Sequence, residues 1–178
     1  MRERILIHCD LDAFYASVET LHHNLDPNVP LIIGSDPKNG QGRGIVSTCN
    51  YAAREFGVRS AMPISEAWRR CPGKPLGNAL YHRGAHRLYR RASNRVMAIL
   101  SEHADKFEQA SIDEAYLDVT EVCEGDWGRA ESLSRNLQKL IMDDISLSAS
   151  LGIGPTRVAA KMASEARKPG GIFLVPPG

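Results

Sequence analysis

Apolar positions change their period along the chain, and the changes mark its elements. Ile5-Leu6-Ile7, followed by His8-Cys9, is a continuous apolar run that predicts a buried strand, and it ends in Asp10 and Asp12 rather than in a turn. From Ala13 to Leu21 the spacing becomes helical through Phe14, Val18 and Leu21, with Tyr15 off that stripe. Val29 to Ile33 is a second strand-like run. The glycine-rich loop 34–42 follows, and Gly44 to Thr48 reads as the returning strand of a hairpin. Two short helices are expected next: Tyr51 to Phe56, stopped by Gly57, and Ile64 to Arg70, introduced by Pro63 and stopped near Pro72-Gly73.

A long helix from Arg83 to His103 carries Leu88, Ala92, Val96, Ile99 and Leu100 on one side. Phe107 to Ser111 and Ala115 to Val119 read as strands joined by the corner Ile112-Asp113-Glu114. A helix over about Trp127 to Met142 and a strand over Ser146 to Ile153 follow. Pro155 then opens a helix at its favoured first position, and Pro169-Gly170-Gly171 ends the region. This order predicts an α+β fold: a ferredoxin-like (split βαβ) sheet with a small α/β domain inserted after its first helix. No internal repeat is visible.

Composition adds limits. The 178 residues are 43% hydrophobic and 24% charged, without low-complexity runs, as in an ordinary globular chain. No apolar segment is long enough to cross a bilayer, and acids interrupt the start where a signal peptide needs an apolar stretch. A cytoplasmic protein is therefore expected, without a membrane partner. Cys9, Cys49, Cys71 and Cys123 lie far apart with no Cys-x-x-Cys pair, which fits reduced thiols.

The net charge of +1 conceals an asymmetry. Met1 to Ser65 carries −1, Glu66 to Arg95 carries +7, and Val96 to Gly178 carries −5. Such a belt suits a protein that meets phosphates with one region and holds metal ions with another, although a solvated helix face would have the same composition.

The acids carry the most specific chemistry. Asp10 and Asp12 stand two apart at a strand end, so they share a face. Asp113 and Glu114 adjoin in the corner between two other strands. Carboxylates forced together repel unless a cation compensates them, and oxygen ligands suit Mg²⁺ completed by substrate phosphates. Taken singly, each acid could as readily cap a turn. In Asn50-Tyr51-Ala52-Ala53-Arg54, Tyr51 and Arg54 share one face of a helix start, where backbone N–H groups, a phenol and a guanidinium could grip a triphosphate. The plainer alternative is Tyr51 in a core and Arg54 in a surface ion pair. Lys168, before Pro169, could reach the same phosphates or simply be solvated.

Four strings together resemble one family. Ile7 to Glu19 (I-H-C-D-L-D-A-F-Y-A-S-V-E) is similar to the opening motif of the Y-family polymerases, the DinB and UmuC group. Val46 to Pro63 (V-S-T-C-N-Y-A-A-R-E-F-G-V-R-S-A-M-P) resembles their fingers motif, and Ser111 to Asp118 (S-I-D-E-A-Y-L-D) their second metal motif. Leu151 to Gly171 resembles the segment that closes their palm. Four motifs in family order, spread from near the start to near the end, leave chance agreement negligible.

The resemblance implies template-directed DNA synthesis of the low-fidelity, translesion type, with primer-template DNA and a deoxynucleotide as partners and two Mg²⁺ ions as cofactors, Mn²⁺ being a possible substitute. It further implies a place in DNA repair and replication, near the nucleoid. Asp10, Asp113 and Glu114 match the catalytic metal-binding carboxylates, and the backbone carbonyl of Leu11 matches a further metal ligand. For Asp12, a supporting hydrogen bond and metal contact stay open. Tyr15 matches the steric gate under the sugar, with Phe14 beside it. Thr48, Tyr51, Arg54 and Lys168 match the triphosphate-binding set, and Ser47 and Ala61 match positions roofing the nascent base pair. The implied domains are palm at 1–23 and 81–170, fingers at 24–80, and at 171–178 the start of a linker toward a thumb this sequence does not contain. A sliding clamp would bind through that absent part. Two other readings compete: a binding core inactive without thumb and little finger, and a nucleotidyl cyclase, which Tyr15 and the fingers motif disfavour.

Overall fold

The computed structural model describes residues 3–176; residues 1 and 2, and 177 and 178 of the expected linker, lie outside the described residues. In chain order the elements are β1 (Leu6–Leu11), α1 (Phe14–His22), β2 (Leu31–Gly34), β3 (Val46–Cys49), α2 (Tyr51–Glu55), α3 (Ile64–Arg70), β4 (Leu80–His82), α4 (His86–Ser101), β5 (Lys106–Gln109), β6 (Glu114–Asp118), α5 (Trp127–Ile145), β7 (Ala149–Gly154), α6 (Arg157–Ala166) and β8 (Ile172–Leu174). The architecture is α+β. Two compact units form: Met1–Asp12 with Arg90–Gly178, and Ala13–Tyr89. The expected divisions lay instead at 23/24 and 80/81. Helix α1 goes with the second unit because Ala16 packs in one buried cluster with Leu31 and Ile33.

In the first unit the sheet order is β5-β6-β1-β7-β8. Strand β1 is buried at every position, which its unbroken apolar run anticipates. It pairs antiparallel with both β6 and β7, while β8 adds parallel to β7. Strand β8 lies inside the segment read as a linker. Helix α6 presses closely on β7. A Cβ at Gly152 would stand 2.0 Å from the Ala160 carbonyl oxygen and 2.2 Å from the Ser164 nitrogen, so only glycine admits the helix backbone there.

Several ends differ from the pattern for local reasons. The Thr156 hydroxyl caps α6 by accepting from Ala159 N–H at 3.1 Å, so Pro155 precedes the cap rather than opening the helix. Helix α5 runs past Met142 to Ile145 and ends on Ser146 in the left-handed region (φ 58°), which delays β7 to Ala149. In α4 the buried stripe is Tyr89, Ser93, Val96, Met97 and Leu100, while Leu88, Ala92 and Ile99 are half-buried at its margin. Leu21, expected on the apolar side of α1, is exposed.

The second unit is built on a three-stranded sheet, β3-β2-β4, with β2 antiparallel to β3 and parallel to β4. Alternation divides its faces. Ile32 joins Val46, Cys49, Ala53, Ile64 and Ala67 on the side of α2 and α3, while Leu31 and Ile33 face Ala16 of α1. Asn50 ties this unit together. Its Oδ1 accepts from Ala53 N–H, capping α2, and from Leu31 N–H, both at 3.0 Å; its Nδ2 donates to the Val29 carbonyl at 2.8 Å. Asn50→Ala should therefore cost about 2–4 kcal/mol, a lost cap plus stranded backbone groups, read as a lowered urea midpoint. Asn50→Asp, which keeps the acceptor and loses the donor, should fall between.

All four cysteines are buried and unpaired. No described helix is long and apolar enough to cross a membrane.

Candidate active site

In the first unit the acids gather where β1 ends beside the β5–β6 corner. Asp10 is the register partner of Glu114, so two carboxylates face each other across an antiparallel pair. Asp113 is fixed from two directions. Its carbonyl accepts from Leu11 N–H at 3.0 Å, and its Oδ1 accepts from the Ser111 hydroxyl at 2.6 Å. The same Ser111 oxygen accepts from the N–H groups of Asp113 (3.3 Å) and Glu114 (3.1 Å), which folds the corner around one serine.

Two lysines answer the charge. Lys161 Nζ on α6 lies 3.0 and 2.9 Å from the two Glu114 oxygens. Lys168 Nζ lies 2.9 Å from Asp10 Oδ1 and 2.7 Å from Glu165 Oε1. Burial pushes the Asp10 carboxyl up to about 6, with Glu114 and Asp113 adding to the push and Lys168 opposing it. For Glu114 burial also works upward, but the Lys161 ammonium outweighs it and holds the group below the usual carboxylate range. His8 is fully buried beneath them. Its Nδ1 lies 2.7 Å from the Ser164 hydroxyl, and its Nε2, without a hydrogen bond, is 3.9 Å from Glu114 Oε2. Burial pushes the His8 imidazole down to about 4, so it brings no positive charge at neutral pH.

Asp10, Asp113, Glu114 and Glu165 against Lys161 and Lys168 leave an excess of negative charge presented mainly by oxygen atoms. This donor set fits a hard divalent cation, with Asp10, Asp113 and Glu114 as the residues able to hold it. Asp12 is engaged elsewhere. Its Oδ1 accepts from Ser150 (2.7 Å), and its Oδ2 from Ser148 (2.6 Å) and from Gly170 N–H (2.8 Å), so it staples the end of β1 to β7 and the 169–171 turn.

The second unit holds the other expected residues. The rings of Tyr15 and Tyr89 stack at 4.2 Å and 14°. Phe14 is 3% exposed and packs at 5.7 Å from Tyr15, supporting that ring from within. Tyr15 and Ser47 line a cavity of 570 Å³ with Lys38, Arg43, Arg83 and Tyr89. Thr48, Tyr51, Arg54 and Ala61 are not among its lining residues. The Arg54 guanidinium lies over the Tyr51 ring at 4.5 Å, a joined phenol and cation at the start of α2. Ala61 takes a left-handed backbone (φ 64°) and donates its N–H to the Val46 carbonyl at 2.9 Å.

Sequence reasoning overlooked Lys161, Ser111, Ser148, Ser150 and the three cavity cations. The available signal for Lys161 was its place off the Ala160–Ala163 stripe in a helix following Gly152 and Gly154. The lysines and arginines of the belt from Arg69 to Arg95 are exposed, with Arg70 paired to Glu66 and Arg95 to Asp144.

The first unit thus brings Asp10, Asp113 and Glu114 to one strand end of an α+β sheet, and the second sets an aromatic stack beside basic groups. The chain belongs to the impB/mucB/samB family, whose sequence profile matches residues 9–165. Among its relatives, the DNA polymerase IV of Methanoculleus marisnigri is 42% identical over 177 residues, covering 98% of this chain and 46% of that protein. The DNA polymerase IV of Streptococcus agalactiae is 45% identical over 174 residues, with the same coverage. A solved structure of DinB from Sulfolobus solfataricus superposes with a TM-score of 0.88 at 35% identity, covering 97% of this chain and 48% of that one. A Y-family DNA polymerase chimera of Dbh and Dpo4 gives 0.89 at 35% identity, covering 97% and 49%. The chain spans about half the length of these relatives.

Proposed function

We propose that this chain is the palm and fingers of a translesion-type DNA polymerase, transferring a deoxynucleotide onto a primer 3′-hydroxyl under template direction. The observation that carries this reading is the pairing of Asp10 with Glu114 at the end of β1, with Asp113 next to Glu114 in the corner that bonds Leu11 N–H, countered by Lys161 and Lys168. Palm, in these terms, is the sheet of the first unit, and fingers the inserted unit.

Asp10, Asp113 and Glu114 would hold Mg²⁺, two ions in the full complex, and the Leu11 carbonyl would be a further ligand. Bound there, the metal supplies an activated hydroxyl and charge neutralisation at the triphosphate. The chain's own residues do the rest. Ser111 keeps the Asp113–Glu114 corner in one conformation. Lys168 orients Asp10 and offers its one remaining N–H donor to a phosphate oxygen. Arg54 and Tyr51 bind triphosphate oxygens, with Thr48 adding a hydroxyl. Tyr15, backed by Phe14 and stacked on Tyr89, bars a ribose 2′-hydroxyl, and Ser47 and Ala61 leave space above the base pair. The relative captured in an insertion ternary complex, Dbh DNA polymerase, supports DNA and a nucleotide as ligands.

The test is primer extension by the 178-residue chain with Mg²⁺ and four deoxynucleotides, at low salt and high enzyme concentration, since phosphate contacts weaken steeply with salt. Slow, distributive addition is expected. Absence of both extension and metal-dependent nucleotide binding would overturn the reading. In the same assay Tyr15→Ala should raise ribonucleotide use relative to deoxynucleotide by at least about tenfold, the scale of a lost steric discrimination of 1–3 kcal/mol. An unchanged sugar preference would remove Tyr15 from the gate.

A further inference from the structure

Among the described residues, the proposed reaction leaves one cluster of ligating side chains without a task. Glu19 lies on the buried side of α1 at 2% exposure, and His23 follows four residues later at the cap of that helix, so both side chains leave one face. His82 ends β4, in register with Ile33 of β2. Glu19 Oε2 is 3.0 Å from His23 Nε2 and 3.3 Å from His82 Nδ1. All three ligand atoms fall within 4.8 Å of one another. The other carboxylate oxygen, Oε1, accepts a 2.6 Å hydrogen bond from the Tyr89 hydroxyl.

We propose that Glu19, His23 and His82 form a binding site for one divalent transition-metal ion of the zinc class. Two imidazole nitrogens with a single carboxylate suit a borderline ion and are a poor match for Mg²⁺ or Ca²⁺, which take oxygen shells. The distances agree. Bonds of about 2.0–2.1 Å set at tetrahedral angles separate neighbouring ligand atoms by about 3.3 Å. Both glutamate–imidazole separations are already close to that value, and the two imidazole nitrogens lie within 4.8 Å of each other. The carboxylate is also oriented in advance, since Tyr89 occupies Oε1 and leaves Oε2 facing both rings.

Exposure rises from Glu19 at 2% through His82 at 28% to His23 at 47% in their side chains, which gives an ion an entry path and a water in the fourth position. Helix α1 is the first element of the second unit and β4 its last strand, so the ion would clasp that unit's two ends. The inference stands apart from the polymerase reading, because none of the three residues belongs to the catalytic or triphosphate sets.

Co²⁺ is the probe, titrated into the purified chain under a large excess of Mg²⁺ while the visible spectrum is recorded. A saturable d–d band at one equivalent is expected, displaced by Zn²⁺ and retained in an Asp10→Asn/Asp113→Asn double variant. It should be lost in His23→Ala and in His82→Ala, whose circular dichroism should match the unmodified chain. Nucleotidyl transfer by these two variants should be unchanged. A band that survives in the His23→Ala/His82→Ala double variant, or no saturable band in the unmodified chain, overturns the proposal and leaves Glu19 as the polar partner of two imidazoles. Should the single variants misfold, His82→Gln gives the same discrimination with the polar contact to Glu19 retained.

Discussion

Asp113→Ala should reduce primer extension by at least about 10³-fold while leaving the chain folded. The magnitude follows from removing one anchor of a metal ion that contributes several kcal/mol at the transition state, each 1.36 kcal/mol being a factor of ten. The fold should survive because the structural contact at this corner belongs to the backbone: the Asp113 carbonyl that accepts from Leu11 N–H persists in alanine. The side chain itself is half-exposed and bonded to Ser111, whose hydroxyl still bridges the N–H groups of residues 113 and 114. Removing the acid also relieves repulsion on Asp10, so thermal stability should hold or rise slightly. Single-turnover extension at saturating enzyme, read beside far-ultraviolet circular dichroism, separates the effects. Robust extension by a folded Asp113→Ala chain would falsify the catalytic assignment.

Gly152→Ala should be the most damaging single methyl in the first unit. The new Cβ meets the Ala160 carbonyl oxygen, the Ser164 nitrogen and the Ala163 carbonyl carbon, at 2.0, 2.2 and 2.8 Å. All three are helix backbone atoms that no rotamer change can move. Relief requires α6 to shift off β7, which opens packing at Ala160 and Ala163 and strains the His8–Ser164 contact. A loss of about 3 kcal/mol or more is expected, at the upper end of overpacking costs, and would appear as a large fall in urea midpoint. Because α6 carries Lys161, the folded fraction that remains should also extend primers more slowly. Gly128→Ala is the control. Its Cβ has only the Asp126 side-chain oxygen nearby, at 3.2 Å, and stability should change little. Equal stability of the two variants would mean that the β7–α6 contact is looser than these distances state.

Local period made the first unit's central strand legible, since Ile5 to Cys9 can only be a segment covered on both faces. It also gave α3 with its ends at Ile64 and Arg70. Strands β4 and β8 escaped because each has three residues and is held by parallel pairing to a partner remote or separately placed in sequence, which no local window contains. The same limit divides the site. Asp10, Asp113 and Glu114 stood out because grouped acids at strand ends are unfavourable without a purpose. The role of Asp12 could not be read, as Ser148, Ser150 and Gly170 lie more than 130 positions away. Lys161 looked like any solvated helix lysine until α6 was seen docked against β7 and the neighbouring β1.

The four buried thiols have a practical side. Burial pushes each of them above its ordinary range, and the thiolate is the form that reacts with alkylating probes. The native chain should consequently stay dark toward maleimide dyes. A cysteine introduced at an exposed position such as Phe56 or Val158 would become the sole point of attachment, so fluorescence studies of this protein can start from its natural sequence without a cysteine-free background.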